Sequence, residues 1–228
     1  MSLSRLWQQW LGGKGRVVAG DASRQRCVVL DVETTGLDPQ RDRLLAIAAI
    51  AIDIDWHPAE GDTLARMAIH PGDSFEVVVQ HEQSNSTHEN ILLHGIGLQQ
   101  QRDGLPAASA LAAFEAYAGE APLIAFHAAF DRAMIERAMR QELGRTLRND
   151  WLDIEHLCAV THEHVKARAL DDWMAHFGIT CDVRHQAAAD TLAECEVLLR
   201  VWPQVAAQCD TWKAVIKLAA NHRWIRQH

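Results

Sequence analysis

The amino-acid sequence predicts an α/β fold: a mixed sheet with an antiparallel meander in its first part and parallel strands in its second, flanked by helices. Two observations carry this. β-type apolar runs follow one another between Cys27 and Val79 with turn residues between them, and from Leu123 onward short apolar runs alternate with stretches of helical period. No internal repeat, low-complexity tract or linker interrupts the chain, and 228 residues suit one domain that buries about three quarters of its unfolded surface.

The elements follow in order. Leu3, Leu6, Trp7, Trp10 and Leu11 share one face at helical spacing before Gly12, Gly13 and Gly15 end the pattern, so residues 1–24 read as an N-terminal amphipathic helix and a Gly-rich connection. Within residues 3–11 the single basic residue, Arg5, favours packing on protein over attachment to a membrane. The main domain, residues 25–202, opens with a strand at Cys27–Leu30 and a second, rich in Ala and Ile, at Leu44–Ile54; Gly36 and Asp38-Pro39 supply the turn. Further β-type runs at Leu64–Ile69 and Phe75–Val79, separated by Pro71-Gly72, complete what reads as a three-stranded antiparallel meander. A helical pattern covers Pro106–Tyr117. Strand Leu123–Phe126 then leads into a helix from Asp131 to about Glu142, and strand Trp151–Ile154 leads into helical residues Leu170–Phe177. A helix pair at Ala187–Arg200 and Val205 to about Arg223 closes the chain, with residues 203–228 expected as a helical extension packed on the domain.

A net charge of -8 and a pI near 5.9 exclude a protein that coats nucleic acid over its whole surface. Any such contact must be local, through a metal-neutralised acidic site or a small basic patch. Five cysteines, odd in number, widely spaced and without a CxxC pair, suggest neither a disulfide framework nor a thiolate zinc site. With no signal-peptide h-region and no run of roughly 18 to 20 apolar residues, the expected location is the cytoplasm, with no membrane partner. His156, Cys158, His162 and His164 are dense enough to raise a zinc site, but their spacing matches no common zinc motif.

The residues able to do chemistry are acidic. Asp31 and Glu33 lie two apart on a strand, so both carboxylates project from one face, where a metal ion is the simplest compensation for their repulsion. Taken alone, such a pair is more often a solvated strand end. Asp131 follows an apolar strand and opens a helix, where a carboxylate also suits the helix dipole. His185 and Asp190 bracket three alanines small enough for close packing against a sheet, though each read singly is an ordinary loop or surface residue. Their combination and order set them apart.

In that order, Asp31-Val-Glu-Thr-Thr-Gly-Leu37, Phe126-His-Ala-Ala-Phe-Asp131 and His185-Gln-Ala-Ala-Ala-Asp190, the chain resembles the DnaQ-like DEDDh 3′-5′ exonuclease family. That family includes the proofreading epsilon subunit of DNA polymerase III and ribonuclease T, and its fold is ribonuclease H-like. The second motif departs from the family's usual His-Asn at Phe126-His127, while its Phe and its carboxylate stay. His94-Gly-Ile96 and Leu170-Asp-Asp-Trp-Met-Ala-His-Phe-Gly-Ile179 also resemble family segments. The resemblance implies two Mg²⁺ or Mn²⁺ ions held by Asp31, Glu33, Asp131 and Asp190, with Asp31 bridging them, and His185 as general base. It implies that Thr34, Thr35, Gly36 and Leu37 hold the terminal nucleotide, with Leu37 beside the last base; Phe130 and His94 are further candidates to stack on bases. The implied activity is release of nucleoside monophosphates from the 3′ end of DNA, in proofreading or repair, with a DNA polymerase as a possible partner. Two alternatives stay open: RNA trimming, and a non-catalytic module that docks a polymerase. Arg132, Arg137, Arg140, Arg145 and Arg148 are read as a solvated helix face.

Overall fold

The computed structural model describes residues 23–57, 64–81, 91, 94–181 and 184–225. Apart from residues 23 and 24, the expected N-terminal helix and its connection lie outside the described residues. Strands β1 (Arg24–Thr34), β2 (Leu44–Asp55), β3 (Arg66–Val78), β4 (Leu123–Ala125) and β5 (Trp151–Asp153) form one sheet in the order β3-β2-β1-β4-β5. β1 pairs antiparallel with β2, and β2 with β3; β4 joins β1 in parallel, and β5 joins β4 in parallel. This is the mixed sheet expected from the sequence.

One detail differs. The runs on either side of Pro71-Gly72 are a single strand, β3, and the register slips where Ile50 pairs with Ser74 and Ala51 with His70. The extra residues bulge out of the ladder instead of turning the chain. An edge strand tolerates this, because Pro71 has no N–H to donate and needs no partner on its open side.

The helices are α1 (Leu98–Asp103), α2 (Ala107–Ala118), α3 (Ala129–Leu143), α4 (Ile154–Thr161), α5 (Leu170–Phe177), α6 (Ala187–Ala206), α7 (Trp212–Ala220) and α8 (His222–Ile225). Helices α1 and α4 were not expected; α1 has six residues, too few for a periodic pattern to stand out, and α4 follows β5 with no turn residue between them. Helix α4 starts where Asp153 caps it by accepting the N–H of Glu155 at 3.0 Å. Helix α6 runs past Arg200, where the pattern seemed to end, and carries Pro203 in its last turns. Burial of Val197, Val201, Trp202 and Val205 on its inner face outweighs the lost N–H.

Side chains of β1 alternate between two cores. Val28, Leu30 and Val32 face α2 and α3, against Leu111, Phe114, Met134 and Ile135. Cys27 and Val29 face the other way, with Ile52, Ile54 and Ile124, against Leu157 of α4, Trp173 of α5 and Val197 and Val201 of α6. Val215 and Ala219 of α7 belong to this second core. By the same alternation Asp31 and Glu33 turn toward α6 at the open end of the central strand. Among the described residues no helix is long and apolar enough to cross a membrane.

Candidate active site

Strand β1 delivers Asp31 and Glu33, and α6 delivers Asp190 from its first turn. Thr191 of α6 donates its hydroxyl to the Ala187 carbonyl one turn back at 2.6 Å, and that hydroxyl lies 3.4 Å from the carbonyl of Ala48, the β2 residue paired with Asp31. One carboxylate oxygen each of Asp31, Glu33 and Asp190 falls within 4.8 Å of the others. Asp131, in the first turn of α3, is 4% exposed and accepts the main-chain N–H of Val32, between the two β1 carboxylates. The three motifs therefore meet in space.

The charges strain against one another. Burial, followed by the facing carboxylates of Asp131, Glu33 and Asp190, holds Asp31 well above the ordinary carboxylate range. Burial and then Asp190 push Glu33 up to about 8, and burial pushes Asp131 up to about 7. Such a cluster of hard oxygen donors fits a divalent cation, which would relieve both the repulsion and the desolvation. Arg184 now supplies a positive charge: its Nε donates to Asp171 Oδ1 at 2.6 Å and its Nη1 to Asp190 Oδ1, while the His185 N–H donates to Asp190 Oδ2 at 3.0 Å.

His185 is exposed with φ 62°, and His127 is exposed with φ 59°. Histidine, like asparagine, enters the left-handed region more readily than most residues, which gives a physical reason for His127 at the position where the family usually has Asn. The His127 N–H is held by Asp153 Oδ1 at 3.1 Å.

The first-motif loop is built largely on Asp42. Thr35 Oγ1 donates to Asp42 Oδ1 at 3.0 Å, the Asp38 N–H donates to Asp42 Oδ2 at 2.8 Å, and Thr34 Oγ1 donates to the Gly36 carbonyl at 2.7 Å. Gly36 is required by this close approach, since a Cβ there would lie 2.5 Å from Asp42 Oδ2. The two threonine hydroxyls thus serve the loop, and Leu37 stands out from it, 87% exposed.

His94 is 3% exposed; its Nδ1 accepts the Ile96 N–H at 3.0 Å, and Nε2 is buried without a hydrogen-bond partner. A ring so enclosed offers no open face for stacking. A Cβ on the neighbouring Gly95 would meet Gln186 Nε2 at 3.8 Å, so this segment nonetheless borders the third motif. Phe130 is half-buried against the α2–α3 core. Arg132 and Arg140 make exposed pairs with Glu136 on the surface of α3, while Arg145 pairs with Glu115 and Arg137 donates to the Asp42 carbonyl, two contacts that link separate segments.

The zinc reading loses its geometry. His156 stacks on His222 with ring centroids 3.4 Å apart, Cys158 is buried in the core, and His162 packs against Trp173, His176 and Phe177. Among the described residues, Asp31, Glu33 and Asp190 are the group gathered closely enough to hold a metal.

Sequence reasoning missed Arg184, Asp171 and Glu194. Glu194, one turn beyond Asp190 on α6, is 2% exposed and accepts the Phe126 N–H, and burial, then Asp31 and Asp131, hold its carboxyl well above the usual range. It was hidden because an acidic residue on a helix is normally solvated.

Residues 28–198 match the family described as Exonuclease. A DNA polymerase III subunit epsilon-like protein from Rhodobacter capsulatus is 29% identical over 217 residues, covering 92% of this chain. A PolC-type DNA polymerase III from Clostridium perfringens is 28% identical over 172 residues, covering 75%. The chain spans 29% of the first relative and 11% of the second. In structure it is similar to E. coli exonuclease I in complex with a dT13 oligonucleotide, with a TM-score of 0.60 and 16% identity over 80% of this chain and 41% of that one. The exonuclease I of Methylocaldum szegediense gives 0.59 and 19%, over 81% and 43%. At such identities the structural likeness establishes the ribonuclease H-like fold. With the family match running from β1 through most of α6, the chain belongs to the exonuclease family, as the resemblance of its motifs to DnaQ-like members implied.

Proposed function

We propose that this chain is a metal-dependent 3′-5′ exonuclease of the DEDDh type that hydrolyses the terminal phosphodiester bond of DNA and releases nucleoside monophosphates, in proofreading or repair. The observation that carries this is the convergence of Asp31, Glu33 and Asp190 within 4.8 Å, with Asp131 buried beside them and His185 at the exposed rim. Asp31, Glu33, Asp131 and Asp190 would hold two Mg²⁺ or Mn²⁺ ions. Bound ions of this kind supply a more acidic water and offset charge on the attacking and leaving oxygens.

The chain's own groups do the rest. His185 takes the proton from the attacking water, a role suited to an imidazole at neutral pH on an open edge. The main chain of Thr34, Thr35 and Gly36 holds the terminal nucleotide, and the exposed Leu37 lies against the last base. DNA as substrate is supported by the names of the relatives, which are DNA polymerase III proteins; a polymerase is the class of partner those names point to.

The test is digestion of 5′-labelled DNA and RNA oligonucleotides with and without Mn²⁺ or Mg²⁺, beside an Asp31→Ala control. Metal-dependent shortening from the 3′ end of DNA, absent in the control, is expected. Shortening of RNA alone would replace the substrate. No shortening of either by folded protein would favour the polymerase-docking alternative.

A further inference from the structure

Arg184 has no part in the reaction as set out above, and its geometry is specific. Its guanidinium links two carboxylates of different kinds: Asp190, 9% exposed in the carboxylate cluster, and Asp171 on α5, 64% exposed and outside it. The contact with Asp171 is made by Nε and the contact with Asp190 by Nη1, so one edge of the planar group is anchored from outside while another reaches into the site. These contacts engage two of the five N–H donors that a guanidinium carries. The side chain is 23% exposed, so it stands at the rim of the carboxylate cluster.

We propose that Arg184 is a substrate-positioning residue: anchored by Asp171, it hands its inner edge from Asp190 to the phosphate of the 3′-terminal nucleotide. On the exonuclease reading, electrostatics drive this exchange. Without cations, Arg184 offsets part of the charge of four crowded carboxylates. Once divalent ions sit among them, the same guanidinium is a like charge beside those ions, and its bond to Asp190 competes with metal coordination. Asp171 remains to hold it, and the nearest new anion is the phosphate. Arginine suits this exchange because its charge is permanent and its fork matches two phosphate oxygens.

The test uses the whole chain and two ligands that differ only in phosphate, thymidine 5′-monophosphate and thymidine, titrated calorimetrically in Mn²⁺. Arg184→Met is expected to weaken the monophosphate about tenfold or more, the value of one charged hydrogen bond, and to leave thymidine within twofold. In the absence of nucleotide it should bind Mn²⁺ as tightly as the unmodified protein or several-fold more tightly. Asp171→Asn, which loosens the anchor without touching the cluster, should weaken the monophosphate by a smaller factor; a folded Asp171→Asn protein guards against loss of structure in Arg184→Met. Equal loss of both ligands, or weaker Mn²⁺ binding in Arg184→Met, would make Arg184 a structural counter-charge and overturn the proposal. Unmodified protein that binds Mn²⁺ but does not distinguish the two ligands would instead count against the exonuclease reading.

Discussion

Glu33→Gln should make the metal-free protein more stable while destroying its cation site. The Glu33 carboxyl has an ordinary pKa of 4.5 in the unfolded chain and about 8 in the fold, raised first by burial and then by Asp190. Below pH 4.5 both states hold the proton and the residue costs nothing. As pH rises toward 8 the unfolded chain releases the proton while the folded chain must keep it or bear a buried charge, so stability falls across that window and levels off above it. Each tenfold in proton affinity is worth 1.36 kcal/mol, which sets a ceiling of ~5 kcal/mol above pH 8. Solvent at this half-open site and the nearby Arg184 reduce that to ~1–3 kcal/mol, because the effective dielectric at such positions is closer to 20 than to 4. Glutamine keeps the shape and removes the charge. For a chain of this size the melting temperature should then rise by roughly 2–10 °C at pH 8. Calorimetric melts with chelator at pH 4.5, 6 and 8 read this directly. The variant should match the unmodified protein at pH 4.5 and exceed it at pH 8, and added Mn²⁺ should stabilise the unmodified protein far more. A variant that melts at or below the unmodified protein at pH 8, or a gap that does not change with pH, would refute the reasoning.

Asp131→Ala and Asp190→Ala should each leave nearly undetectable exonuclease activity and weaken Mn²⁺ binding; activity near that of the unmodified protein in either would remove that residue from the site. His185→Ala should lower kcat by about 10²–10⁴-fold, the usual contribution of a positioned base, while calorimetric Mn²⁺ affinity stays within a few-fold; a parallel loss of metal affinity would make His185 a ligand instead. Gly36→Ala must push Asp42 aside, breaking its bonds to Thr35 and Asp38, so a loss of ~1–3 kcal/mol and a raised KM are expected. An unchanged melt and KM would show that the loop is not built as described.

The sequence by itself determined the order of the strands and of the longer helices, because β-type apolar runs and helical runs of ten or more residues survive in any tertiary context, whereas the short α1 and α4 left no pattern to read. It also determined which carboxylates matter: Asp31 and Glu33 share a face by the strand's pleat alone, and three motifs in series point to Asp131 and Asp190. Local pattern could not settle the bulge at Pro71, which depends on β3 being an edge, or the continuation of α6 through Pro203, which depends on what its last turns bury. The same limit hid the charge balance of the site. Asp171, Arg184 and Glu194 are unremarkable in the chain, and each is defined by partners distant in sequence: Arg184 bridges α5 to α6, and Glu194 is sealed behind β1 and β4. Whether a charge is solvated, paired or buried is a property of packing in three dimensions, and only the tertiary structure decided it.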